Sequence, residues 1–156
     1  MENDKLFLLR AIELASDSIS EGGGPFGAVI VKDNKIISEA SNRVVLNNDP
    51  TAHAEILAIR QASSFLISHE LNDCTLYSSC EPCPMCLGAI YWARPARVYY
   101  ANTRSDAAAI GFDDDFIYHE INPPLHQRTI PFEHLAIEEA KEVFHAWKNK
   151  QDRIDY

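Results

Sequence analysis

Basic residues are scarce in this chain. Lysine and arginine number 14 against 23 aspartates and glutamates, which gives a net charge of −9 at pH 7 over 156 residues. A protein that grips a polynucleotide sets Lys and Arg against the phosphates. No basic cluster stands out here, so the field of the chain would repel tRNA or DNA, while a small neutral ligand meets no such penalty. Long apolar runs are missing as well. None approaches the ~18 residues that a membrane span needs, although 46% of the residues are apolar. The start, Met1-Glu2-Asn3-Asp4-Lys5, has neither the basic residues nor the apolar stretch of a secretory signal. The expectation is a cytoplasmic protein with no membrane and no polynucleotide partner. Repeats, low-complexity tracts and linkers are also lacking, so residues 1–156 are expected to form a single domain.

Cysteines are few, four in all, and three of them stand close together as Cys80, Cys83 and Cys86. Vicinal Cys-x-x-Cys in a reducing compartment reads as metal or redox chemistry rather than a disulfide framework.

The periodicity places elements around these residues. Leu6, Leu9, Ile12, Leu14, Ala15 and Ile19 mark an amphipathic first helix, ended by Glu21-Gly22-Gly23-Gly24-Pro25. Ala28 to Val31 and Ile36 to Ala40 read as a hairpin across Lys32-Asp33-Asn34-Lys35. Asn42 to Pro50 reads as polar loop. A second helix is expected from His53 to Phe65, with Thr51 near its start as a cap. Cys74 to Ser78 reads as a strand, Pro84 to Arg94 as a helix with proline in its first turn, and Ala96 to Ala101 as another strand. A short helix is expected at Asp106 to Ala109, a loop from Gly111 to Phe116 and a fifth strand from Pro131 to Ile137. Ala140, Val143, Phe144 and Trp147 give a last helix. Helices alternating with strands imply an α/β fold, a three-layer α/β/α sandwich around a mixed five-stranded sheet.

His53, Cys83 and Cys86 form a candidate zinc-ligand set. Three protein ligands leave a coordination position for water, as in catalytic zinc sites. His53 and the cysteines fall at or near expected helix starts, where unpaired N–H groups and the dipole favour thiolate. Glu55 stands two residues from a ligand, placed to take a proton from water and hand it on. Cys80 leaves a second reading open. With His53, Cys83 and Cys86 it would close a structural Cys₃His site, a zinc-binding interaction module in which Glu55 has no task. Alternatively it is a buried thiol at a strand end. Cys74 is poorly spaced for an iron–sulfur cluster.

Asn48-Asp49-Pro50-Thr51-Ala52-His53-Ala54-Glu55 and Cys80-Glu81-Pro82-Cys83-Pro84-Met85-Cys86 resemble the zinc-dependent cytidine and nucleobase deaminase superfamily. Leu87 to Pro95, Gly111 to Tyr118, the Phe144-His145-Ala146-Trp147 stretch and the ending Asp155-Tyr156 narrow the resemblance to its bacterial guanine deaminase branch. That resemblance covers nearly the whole chain. It implies a cytidine-deaminase-like fold and one Zn²⁺ per subunit. The implied reaction is hydrolysis of guanine to xanthine and ammonia, with hydroxide on the zinc attacking C2 and Glu55 as the proton shuttle. It implies a homodimer in which a C-terminal segment, about 138–156, packs on the partner subunit. tRNA adenosine deaminases share the zinc motifs and the Asp49-Pro50-Thr51 lead-in but need a basic surface. The core motifs leave a cytosine or nucleoside deaminase open.

Substrate contacts follow from the resemblance together with the chemistry of the residues. Asn42 can offer a donor and an acceptor to a purine edge, against the ordinary alternative of a turn residue. Phe26 can stack on the base or belong to the core. The Ala54 backbone N–H, at a helix start, can donate to a substrate oxygen. Asp114 can accept from guanine N–H groups and carry protons, or sit in a solvated acidic loop. Trp92 can wall the pocket or belong to the helix core, and the resemblance implies that Tyr156 closes the pocket.

Overall fold

The computed structural model describes residues 2–112 and 114–155. The chain divides after Ile117 into two compact units.

The first unit is built on a four-stranded sheet in the order β2-β1-β3-β4. Strand β1 (Gly27–Lys32) and β2 (Lys35–Ser41) are antiparallel, with a register irregularity at Ile30/Val31. Their connection turns through Asp33 and Asn34, both at positive φ (48° and 60°), the handedness that matches the twist of a two-residue hairpin. Strand β3 (Cys74–Cys80) runs antiparallel to β1 and parallel to β4 (Arg97–Asn102). Helix α4 (Pro84–Ala93) makes the crossover between β3 and β4. The expected fifth strand at Pro131 to Ile137 is not formed, and the sheet has four strands. Pro131 lacks a ladder donor, and Glu133-His134 breaks the apolar alternation.

Side-chain alternation divides this unit into three layers. Ala28, Ile30, Leu76 and Cys74 face one way and pack with Ala54, Ala58 and Ala62 of helix α3 (Ala54–Leu66) and Ile90 and Ala93 of α4. Val29, Val31 and Tyr77 face the other way, onto Ala11 of helix α1 (Glu2–Ser20), with Phe7, Leu8 and Leu14 alongside. The buried face of α1 departs in part from the expected one: Ala15 is buried and Leu14 packs inward, but Leu6, Leu9, Ile12 and Ile19 are exposed. Small residues decide this. Ala11, Ala15 and Ser18 are the buried positions, and they let the helix approach the sheet at Gly27, where a Cβ would meet the Ala11 carbonyl and come within 2.7 Å of the Ala15 nitrogen.

Two stretches expected as loop contain helix. A short helix α2 (Val44–Asn47) lies in the Asn42–Pro50 segment. Helix α6 (Asp115–Ile121) starts within the Gly111–Phe116 stretch. Helix α5 (Arg104–Ala109) carries a capping box, in which Thr103 and Asp106 satisfy each other's backbone N–H.

Among its described residues the second unit holds the end of α6, a 3₁₀ turn at Leu125–Gln127 and helix α7 (Glu139–Asn149). Within it the Glu120 carboxylate accepts from the Thr129 N–H at 2.7 Å and its hydroxyl at 3.0 Å, and the Arg128 guanidinium lies over the Phe132 ring. No helix among the described residues is long and apolar enough to cross a membrane.

Candidate active site

The candidate residues that the structure brings together gather at one end of the strands β1, β2 and β3. Phe26 precedes β1, Asn42 follows β2, and Cys80 ends β3. The antiparallel pairing Gly27↔Ser41 and Ala28↔Ser78 sets these three chain segments side by side.

His53 and Cys83 are the N-cap residues of α3 and α4. Neither side chain caps its own helix, so both are released for another task. The expected cap Thr51 instead gives its N–H (2.8 Å) and hydroxyl (2.7 Å) to Asp49 Oδ1, forming a turn that leads into His53. Pro84 opens α4, its fixed φ and missing N–H costing nothing at a helix start. Cys86, one turn on, faces the same point.

The ligand atoms of His53, Cys83 and Cys86 lie within 4.8 Å of one another. His53 Nδ1 is 3.5 Å from each of the two sulfurs. Tetrahedral zinc with Zn–N of ~2.0–2.1 Å and Zn–S of ~2.3 Å has an N···S edge of about 3.5–3.6 Å. The donor set and its spacing therefore fit zinc, held through Nδ1. Cys80 is not part of the group. Its thiol donates to the Thr103 carbonyl at 3.6 Å, and burial pushes its pKa up to about 11. The closed four-ligand site is thus not assembled.

The electrostatics suit a cation. The Cys86 thiol, hydrogen-bonded to the Cys83 sulfur, and the His53 ring beside it lower the Cys83 pKa. The same hydrogen bond, reinforced by burial, holds the proton on Cys86. The Cys83 sulfur in turn raises the pKa of His53. A divalent metal binds the deprotonated thiols, so its binding releases whatever protons the pair still holds.

Glu55, in the first turn of α3, is 6% exposed. Burial raises its pKa, the direction a proton shuttle requires. Its Oε1 accepts from the Ser78 hydroxyl at 3.0 Å, and its Oε2 lies 3.4 Å from Cys86 Sγ.

These groups open on a cavity of about 380 Å³ lined by, among others, Phe26, Asn42, His53, Glu55, Phe112 and Asp114. That is the size of a small-ligand pocket. Asn42 is buried, and its Oδ1 accepts from the Val44 N–H at 3.2 Å, which leaves its amide NH₂ to donate. Phe26 meets Phe112 edge to face, ring centroids 4.8 Å apart. Ala54 is buried at the first position of α3, but it does not line the cavity. Trp92 does not line it either: it stands on an exposed face of α4, 63% accessible. The helix rotates it away, because Cys86, Ile90 and Ala93 take the buried face. Tyr156 lies outside the described residues.

Sequence reasoning missed Phe112, Glu81, Val44 and Val45 in the cavity wall, and Ser78 on Glu55. Phe112 stands two positions before Asp114, in a stretch whose sequence reads as a loop and as part of the family resemblance, with a site role given to Asp114 alone. Ser78 interrupts the apolar face of β3 formed by Cys74 and Leu76, a signal the strand pattern did carry.

Residues 1–102 match the model of the cytidine and deoxycytidylate deaminase zinc-binding region. Guanine deaminase of Bacillus subtilis (strain 168) is 56% identical over 155 residues, 99% of each chain. Its crystal structure superposes with a TM-score of 0.95 at 56% identity, covering 97% of this chain and 98% of that one. A structure of guanine deaminase from Nitrosomonas europaea is 35% identical, with a TM-score of 0.66 over 69% of this chain and 63% of that one. The tRNA-specific adenosine deaminase of Aquifex aeolicus (strain VF5) is 34% identical over 137 residues, 88% of each chain. A matching zinc-binding region over most of the chain, with the His53, Cys83 and Cys86 donors gathered in space, carries the assignment: the protein belongs to the cytidine and deoxycytidylate deaminase family.

Proposed function

We propose that this chain is a guanine deaminase, which hydrolyses guanine to xanthine and ammonia with one zinc ion per subunit. The observation that carries the reading is the Glu55 carboxylate, buried at the base of a purine-sized cavity with Oε2 at 3.4 Å from a ligand sulfur. Similarity to the Bacillus enzyme over 99% of both chains supports the choice of base.

His53, Cys83 and Cys86 would hold the metal. When bound, zinc supplies a water made acidic enough to attack at neutral pH. Glu55 would accept one proton from that water and deliver it to a ring nitrogen of the purine, then accept the second from the hydroxyl on the attacked carbon and deliver it to the amine as the C–N bond breaks. Asn42, with its carbonyl oxygen committed to Val44, donates from its NH₂ to the carbonyl oxygen of guanine. Asp114 accepts from a purine N–H. Phe26, braced by Phe112, offers an apolar face to the ring. Tyr156 is assigned to closing the pocket, by resemblance.

The protein is further read as a cytoplasmic homodimer in which residues 138–156 pack on the partner. Exposed Val143, Phe144 and Trp147 on α7 support that reading. The net charge of −9 supports a small substrate over an anticodon arm.

Ammonia release from guanine, guanosine, adenine, cytosine and an anticodon stem-loop tests the proposal. Release from guanine is expected. Release from the stem-loop, with none from guanine, would overturn it.

A further inference from the structure

Glu55 sits in the first turn of α3, where backbone N–H groups lack intrahelical partners and the helix is least constrained. Within the turn the carboxylate meets its own backbone N–H, and strand β3 adds a second, long-range hold. It is paired on both sides, to β1 through Ala28↔Ser78 and to β4 through Ser78↔Tyr100. Its side chains alternate, and Ser78 falls on the same face as Cys74 and Leu76, which pack in the core beneath α3. An apolar residue would be expected at a position only 2% exposed. A hydroxyl buried there costs stability unless it is hydrogen-bonded. Its partner is Glu55 Oε1, at 3.0 Å.

This bond divides the two oxygens of the carboxylate. Oε1 is tied back to the sheet. Oε2 is left on the side of the ligands, 3.4 Å from Cys86 Sγ. A carboxylate that must collect a proton from water beside the metal and pass it to the purine needs one oxygen held facing that point. We infer that Ser78 is a positioning residue for the reaction: from a central strand, its hydroxyl orients the Glu55 carboxylate so that Oε2 faces the water and the substrate. This rests on the reading of Glu55 as the proton carrier. Ser78 does not line the cavity, so its effect should fall on turnover and not on guanine binding.

The test is steady-state kinetics on guanine with the zinc-loaded full chain, with zinc content measured for each variant. Ser78→Ala should lower kcat about 10- to 100-fold, the range typical of groups that orient a catalytic residue, with KM within about twofold and zinc retained. Ser78→Thr, which keeps a hydroxyl on the same carbon and suits a strand, should restore most of kcat. An unchanged kcat in Ser78→Ala would overturn the inference, as would equal losses in both variants or zinc lost along with activity. Glu55→Gln is measured beside them to separate the two readings. An active Glu55→Gln would remove the proton carrier itself. An inactive Glu55→Gln with a fully active Ser78→Ala would remove only the role of Ser78.

Discussion

Replacing Glu55 by glutamine should act on rate and on stability in opposite directions. The change is nearly isosteric, and every neighbour keeps a partner. The Ser78 hydroxyl, 3.0 Å from Oε1, can donate to the amide oxygen, and the new NH₂ can donate to Cys86 Sγ, now 3.4 Å from Oε2. Zinc and fold should therefore survive. Proton transfer should not. General acid–base catalysis contributes about 10²–10⁴ in rate, and Glu55 is assigned more than one transfer, so a loss of at least ~10³, or about 4 kcal/mol of barrier, is expected.

Stability should move the other way in the zinc-depleted protein. Burial, the largest influence, raises the Glu55 pKa above its unfolded value. The native chain then keeps a proton that the unfolded chain has lost. Between the unfolded value, about 4.3, and the raised native value, stability falls as pH rises, by about 1.4 kcal/mol per pH unit for one proton. Glutamine carries no such penalty. Urea unfolding of both zinc-depleted proteins between pH 5 and pH 8 should show the variant gaining on the parent as pH rises, then levelling off. The Glu55 charge also acts on Cys86 and His53, so the comparison reads the carboxylate together with these two neighbours. Activity within tenfold of the parent would refute the assigned role. A stability difference that shrinks with rising pH would refute burial as the cause of the shift.

Other outcomes are expected elsewhere. Cys80→Ala should retain zinc and most activity, whereas Cys83→Ala should lose both; metal analysis checks the pair. Phe112→Ala removes an edge-to-face contact with Phe26, worth ~0.5–1.5 kcal/mol, and should raise KM for guanine about 2- to 10-fold with kcat less affected. Gly27→Ala should destabilise the protein by roughly 1–3 kcal/mol, since the new Cβ would meet the backbone of α1. A thermal melt should show a drop of several degrees. Deleting Arg153 to Tyr156 should lower turnover on guanine sharply while zinc stays bound, as read by kinetics and metal content together.

Much of this was legible in the order of residues, because the relevant physics is local. His53-x-Glu55 and Cys83-x-x-Cys86 put donors within a helical turn of one another, and Pro84 marks the helix start that carries them. The hairpin at Asp33-Asn34 and the long helices follow from turn chemistry and periodicity. Other assignments needed the packed chain. Which face of α1 is buried depended on how close a helix can come to Gly27, and Ala11, Ala15 and Ser18 won over larger leucines and isoleucines. Cys80 was withdrawn from the metal because the end of β3 turns its thiol to Thr103. Trp92 was set aside by the rotation of α4, and Phe112 was brought to Phe26 from a distant part of the chain. The sequence by itself determined the donor set, the carboxylate and the family resemblance, since these are short-range patterns of residue type. Only the tertiary structure decided that the donors meet at the spacing zinc requires and that Ser78 holds Glu55, because both depend on where two helix starts and a central strand converge.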